Sequence, residues 1–214
     1  MLPIFNIFEL GVKENEKNAY VAVGKNNITK SVLNDEGTLG MYLVQEKENP
    51  NMTYMFEVYE DEKSYQEHIK SEQYKEFLRQ SPTILTNHKK KIQVMPEYMG
   101  DKKFVQTRNT RVNYVTVDVK EGFNDAFREI VLDEMKQSIK EEGVYVIYAA
   151  TATGNLNKWY FFEIYENEKA YQKHRKTAHF KKYIEQTENI IENKEFINIE
   201  GVKLLNKGNL NYVK

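Results

Sequence analysis

Two stretches of this 214-residue chain are versions of one sequence. Residues 54–85 read YMFEVYEDEKSYQEHIKSEQYKEFLRQSPTIL, and residues 160–191 read YFFEIYENEKAYQKHRKTAHFKKYIEQTENII. They align at an offset of 106 without a gap, with 14 of 32 positions identical. Upstream the match continues with a slip of one residue: Val12-Lys13-Glu14 against Val119-Lys120-Glu121, then Gly37 against Gly143. A period near 100 residues is too long for a solenoid repeat, so the chain should hold two domain-sized copies, at 1–103 and 104–214.

Each copy has the same order of patterns. Residues 4–12 and 114–120 are strand-like, the second with clean two-residue alternation. A helix follows. In the second copy, residues 124–141 put Phe127, Ile130, Val131, Met135 and Ile139 on one face, with Gly143 as the stop. In the first copy, residues 15–35 make a weaker helix, interrupted by Gly24 and Asn26-Asn27. Two strands joined by a polar turn come next, at 39–45 with 53–59 and at 144–151 with 158–165. A helical stretch and a last strand, at 92–98 and 195–205, close each copy. The order β-α-β-β-α-β is the ferredoxin-like motif, which makes the chain α+β.

The second helical stretch should be split. Asp61 and Asn167 are good N-caps, and Ser71 and Thr177 are cap types about ten residues on. His68 and His174 then fall at the C-terminal end of the first piece, where the helix dipole favours a protonated imidazole.

The run Glu-x-Tyr-x-[DN]-Glu-x-[SA]-Tyr-x-x-His-x-x-[ST]-x-[HQ]-[FY] occurs from Glu57 to Tyr74 and from Glu163 to Phe180. It resembles the signature of the antibiotic biosynthesis monooxygenase (ABM) domain. The resemblance implies a dimeric α+β barrel, here an intramolecular pseudo-dimer of two tandem ferredoxin-like units, with a further homodimer open. It also implies chemistry on a small molecule. Some members of the family oxidise quinols or aromatic polyketides with O2 and no added cofactor, some degrade haem, and some process small phosphorylated signals. The haem-degrading branch pairs a strand-one Asn with a helix-two Trp and a later His. Asn6 is present, but His68 and His174 stand at the Trp positions and Leu78 and Ile184 at the later His positions.

The candidate catalytic residues are Glu57 with His68 and Glu163 with His174. A carboxylate beside an imidazole fixes its tautomer and raises its basicity, which suits removal of a phenol proton. The same pairs could instead lock strand to helix, and their presence in both copies fits that reading well. His179, opposite Gln73 in the first copy, and Tyr59, Tyr65, Tyr165, Tyr171 and Trp159 are candidate substrate-pocket residues or, alternatively, core. An unbroken helix would not put His174 and His179 on one face, whereas a break at Thr177 could. The second copy, with both histidines, is the better candidate for activity.

Composition removes other classes. There is no cysteine, so thiol chemistry, disulfides and iron–sulfur clusters are excluded. Lys+Arg is 31 against Asp+Glu 32, which argues against a nucleic-acid partner; the Lys89-Lys90-Lys91 triplet reads as a solvated loop. No apolar run approaches ~20 residues, and the N-terminus lacks a basic leader, so no membrane span and a cytoplasmic location are expected. Two histidines and a glutamate at strand–helix spacing match no metal motif, and no phosphate loop or dinucleotide fingerprint is present, so no metal and no cofactor are expected. The sequence reading is therefore a cofactor-independent monooxygenase using O2 on a quinol-like small molecule. The alternatives are a non-catalytic small-molecule-binding or stress-response protein and an isomerase-like processor of a signalling metabolite.

Overall fold

The computed structural model describes residues 1–214. In the first unit the ferredoxin-like order is β1 (Ile4–Val12), α1 (Lys17–Asn34), β2 (Thr38–Glu46), β3 (Met52–Tyr59), a split helix α2 (Glu62–Ile69) and α3 (Glu72–Ile84), and β4 (Leu85–Ile92). A separate strand, β5 (Val94–Asp101), follows. The second unit repeats the order: β6 (Arg111–Val119), α4 (Asn124–Ser138), β7 (Val144–Ala152), β8 (Asn155–Tyr165), α5 (Glu168–Arg175) and α6 (Ala178–Thr187), and β9 (Ile191–Ile197). Strands β10 (Ile199–Asn206) and β11 (Asn211–Val213) end the chain. No helix is long and apolar enough to cross a membrane.

The two sheets are antiparallel, ordered β10-β2-β3-β1-β4 and β11-β5-β7-β8-β6-β9. The strand that follows each copy's ferredoxin-like motif therefore pairs in the other copy's sheet. One compact unit comprises residues 1–93, 104–106 and 199–208, and the other 94–103, 107–198 and 209–214. The single last strand expected at 92–98, and again at 195–205, is in each case the end of one strand and the start of another. Only Gln93 and Asn198 separate them. A single residue joins the two strands at each change of sheet, so the residue pattern carries no turn signal there.

The helix expected to be weak, α1, is continuous. Gly24 is buried, and a Cβ there would lie 3.2 Å from Leu43, so the glycine lets helix and sheet approach. Asn27 is buried too and accepts from the Ser31 hydroxyl at 3.2 Å. Burial thus overrides weak propensity. Gly143 does not cap α4, which ends at Ser138. It sits where a Cβ would meet the Ala170 Cβ at 2.5 Å, just as one at Gly37 would meet Ser64. The turn after the first helix must pass close to the first turn of the split helix in both copies, and only glycine leaves the room.

The split in the second helix forms as its caps demand. The side chains of Asp61, Ser71, Asn167 and Thr177 accept from the backbone N–H of Ser64, Tyr74, Ala170 and Phe180. The lysine triplet lies on edge strand β4 rather than in a loop, opposite Leu10, Glu9 and Phe8 of β1. Lysines on an edge strand discourage strand addition.

Candidate active site

In the second unit, strand β8 directs Trp159, Phe161, Glu163 and Tyr165 towards the helices, by two-residue alternation. Glu163 sits opposite Asn113 of β6. Helix α4 supplies Glu134, the turn after it Glu141, α5 His174, and α6 His179. A small cavity of about 60 Å3 lies among these elements. Its polar wall is Asn113, Glu134, Glu163, His174 and Lys194, and the remainder is aromatic and aliphatic. An open surface groove of about 810 Å3 shares Glu134 and Tyr183 with it.

His174 is 1 % exposed, with one ring nitrogen hydrogen-bonded and the other facing a carboxylate. Nδ1 lies 2.8 Å from Glu141 Oε2, and Nε2 lies 3.5 Å from Glu134 Oε1. The same Glu141 oxygen receives His179 Nε2 at 2.8 Å. Both histidines reach it because the chain is broken at Thr177, whose hydroxyl also donates to the His174 carbonyl at 2.7 Å. Burial pushes the His174 pKa down, but the bond to Glu141 and the carboxylates of Glu163, Glu134 and Glu141 outweigh it, and the net shift is upward. Burial pushes Glu141 up, and its bonds from the two imidazoles reverse that, leaving it below the ordinary carboxylate value. Glu134 is raised to about 7 by burial, only partly offset by the Ser138 hydroxyl, which donates to it at 2.6 Å. Asn113 is buried, and its Nδ2 has no partner, although it forms part of the cavity wall.

The first unit holds the same positions in a different state. His68 is fully buried, with neither ring nitrogen hydrogen-bonded. Its nearest carboxylate, Asp35, lies 3.7 Å from Nδ1 and accepts instead from Gln73 Nε2 at 3.0 Å. Burial lowers the His68 pKa to about 4. Asp35 and Gln73 stand where Glu141 and His179 stand in the second unit, and one methylene fewer leaves the carboxylate short of the ring. The buried Ser31–Asn27 pair corresponds to Ser138–Glu134, so a neutral amide replaces the second carboxylate. Glu57 is buried beside Tyr59, whose hydroxyl donates to it at 2.8 Å, and burial raises it to about 7.

The model of the antibiotic biosynthesis monooxygenase family matches residues 3–80 and again 110–186. The chain belongs to that family. Among solved structures, it is similar to a protein from Fusobacterium nucleatum described as a "putative monooxygenase", at 30% identity and a TM-score of 0.94. That match covers 100% of this chain and 98% of the other. A protein from Lactobacillus acidophilus with the same description matches at 28% identity and a TM-score of 0.93, over 99% of this chain and 100% of the other. No curated protein matches the chain.

Within this ABM chain the sequence candidates separate. His174, Glu163 and Tyr171 line the cavity. His179 touches Glu141 and faces the groove. Glu163 is not the hydrogen-bond partner of His174: it accepts from the Tyr165 hydroxyl at 3.0 Å, and Glu141 takes the orienting position. In the first unit the expected Glu57–His68 hydrogen bond is likewise absent, since Glu57 bonds Tyr59 and His68 bonds nothing. Tyr165 and Tyr59 are buried with their rings 5.3 and 5.2 Å from His174 and His68. Tyr65 packs against Tyr59 with the rings tilted and their centroids 5.0 Å apart. Trp159 is in the core against Phe127, its Nε1 donating to Asn124 at 2.8 Å, and forms no part of the cavity wall.

Four polar residues at the site were not singled out from sequence: Glu141, Glu134, Asn113 and Lys194. The signal for two of them was in the alignment of the copies. Glu141 faces an acid in the first copy, and Glu134 faces an asparagine beside a matched serine. Asn113 stands at the first-strand position that Asn6 holds in the first copy.

Proposed function

We propose that this protein is a cofactor-independent monooxygenase whose working site is the second unit's cavity, acting on a small electron-rich aromatic such as a quinol. The observation that supports this most is the His174 ring in the cavity wall, with Nδ1 held by Glu141 and Nε2 towards the wall carboxylate Glu134. With a proton on Nδ1 shared with Glu141, Nε2 keeps its lone pair and can take a phenol proton, the role a positioned imidazole performs in general-base catalysis. Glu141 acts as a positioning residue, fixing tautomer and ring direction. Asn113 Nδ2, buried without a partner, is a donor for the substrate oxygen as it becomes an oxyanion.

Once deprotonated, the ring is electron-rich enough to reduce O2 itself. One oxygen atom enters at a ring C–H as C–OH, the two phenolic O–H groups become C=O, and the other oxygen atom leaves as water with the two hydrogens so removed. No external reductant is needed for that balance. At about 60 Å3 the cavity is smaller than the ~150 Å3 that holds a benzene ring, so even a single ring enters only with movement of the wall, and a fused polycycle fits worse. The test is oxygen uptake over a panel of single-ring and fused dihydroxy-aromatics, with wild type beside His174→Ala. Uptake lowered by ~10²-fold or more in a folded variant supports the reading. Unchanged uptake removes His174 from the chemistry, and ligand-induced stabilisation without uptake favours a binding protein on the same fold.

A further inference from the structure

We propose that Glu141, His174 and His179 form a binding site for a divalent first-row transition cation, and that its occupancy switches His174 off as a base. The second half rests on the reading of His174 given above; the first does not.

One oxygen of Glu141 and one nitrogen from each histidine lie within 4.8 Å of one another. Two imidazoles and one carboxylate are a donor set suited to zinc, iron or nickel, with open positions left for water. The contacts of 2.8 Å from Glu141 Oε2 to each imidazole are hydrogen-bond lengths. A cation with bonds of ~2.0–2.2 Å needs each imidazole nitrogen only about half an ångström further from the Glu141 oxygen. His179 and Glu141 are on separate surface depressions, of about 810 and 390 Å3, so the cluster is reachable from solvent.

A second, independent feature is what lies behind the cluster. The far nitrogen of His174 faces the Glu134 carboxylate at 3.5 Å, and Glu134 is itself held by the Ser138 hydroxyl at 2.6 Å. A carboxylate behind a histidine is the arrangement that orients a metal-bound imidazole. The first unit supplies an internal control. There the corresponding residues are Asp35, His68 and Gln73, with Asn27 in place of Glu134, and one amide-to-carboxylate bond of 3.0 Å joins Gln73 to Asp35. Joining the helix pair to the preceding turn therefore requires only a glutamine. The second histidine, the longer acid and the backing carboxylate all occur together in one copy.

The link to the base follows from tautomers. A cation takes the Nδ1 lone pair, so the ring's remaining proton must sit on Nε2, directed at Glu134. The nitrogen that would accept the substrate proton then becomes a donor.

The full chain, stripped with a chelator, is titrated with Co2+, followed by its visible absorption, and with Zn2+ by calorimetry. Wild type is compared with His179→Gln, which copies the first unit, and with His88→Ala, which removes the exposed His88–Glu9 pair as an alternative site. Melting curves establish that each variant is folded. One cation per chain is expected. His179→Gln should lower affinity by more than the ~10–100-fold typical of losing a residue behind a ligand, and His88→Ala should leave it unchanged. Absence of saturable one-to-one binding, or equal affinity in His179→Gln, overturns the site. For the switch, one equivalent of Zn2+ should abolish wild-type oxygen uptake; uptake unchanged or raised at saturation overturns the switch and leaves the site standing. A chain that takes up no oxygen in any form refutes the base and with it the switch, while the titration alone decides the metal site.

Discussion

His68 and Glu57, buried in the same unit, should pull stability in opposite directions as pH changes. The folded-state pKa of His68 is about 4 against an ordinary 6.5, so folding favours the neutral ring. Its contribution is present above pH 6.5 and is lost as pH falls towards 4. Linkage over that window gives a loss of about 2 kcal/mol between pH 8 and pH 5. Glu57 is raised from 4.5 to about 7, so folding favours the neutral acid. Its contribution is present below pH 4.5 and is lost as pH rises through 7, which amounts to about 2.5 kcal/mol between pH 5 and pH 8. The two nearly cancel in wild type, so a flat pH profile alone would show nothing. Variants separate them. His68→Phe keeps a ring between Tyr59 and Tyr74 and removes two unpartnered nitrogens. Relative to wild type it should gain about 2 kcal/mol on going from pH 8 to pH 5, or ~4–8 °C in melting temperature for a chain of this size. Glu57→Gln keeps an acceptor for the Tyr59 hydroxyl and should gain, relative to wild type, as pH rises from 5 to 8. The assay is calorimetric unfolding of all three proteins at both pH values. Differences from wild type that do not change with pH would refute the assignment of these groups as buried and neutral.

Other outcomes follow from the same geometry. Glu141→Ala should lower kcat for oxygen uptake by ~10²-fold while changing KM little, because it removes the group that fixes the His174 tautomer without touching the cavity wall; a pure rise in KM would contradict that role. Trp159→Phe should cost about 1–3 kcal/mol in urea unfolding through a lost Asn124 bond and a small core void, and leave oxygen uptake as in wild type. Gly143→Ala should destabilise by about 1–3 kcal/mol, since its Cβ would meet that of Ala170 at 2.5 Å. Thr177→Ala should cost about 1 kcal/mol as a lost N-cap, measured by chemical unfolding.

Much of the fold was legible because the chain states it twice. The split second helix could be read from Asp61, Ser71, Asn167 and Thr177, whose caps act through neighbouring backbone and need no tertiary context. The change of sheet at Gln93 and Asn198 could not, because an extended backbone looks the same whichever sheet receives it. The continuity of α1 was hidden for the opposite reason: Gly24 and Asn27 are poor helix formers that packing retains. At the site, the histidines were visible by repetition, and Trp159, for which pocket and core were both open, is a core residue. Glu141 was hidden because it lies in a turn that the sequence assigned to the end of a helix, and its partners come from α5 and α6. Two-residue alternation groups Glu163 with Tyr165 on one face of β8 but leaves open which face meets the helices, and the carboxylate that reaches His174 comes from another element.

The account rests on a difference between two histidines in one chain: His174 oriented by Glu141, and His68 oriented by nothing. Oxygen uptake of His174→Asn and His68→Asn, with the best single-ring substrate and both variants folded, tests it most directly. The expected result is a loss of ~10²-fold or more in His174→Asn and a change within about twofold in His68→Asn. Equal losses in the two, or a larger loss in His68→Asn, would contradict it.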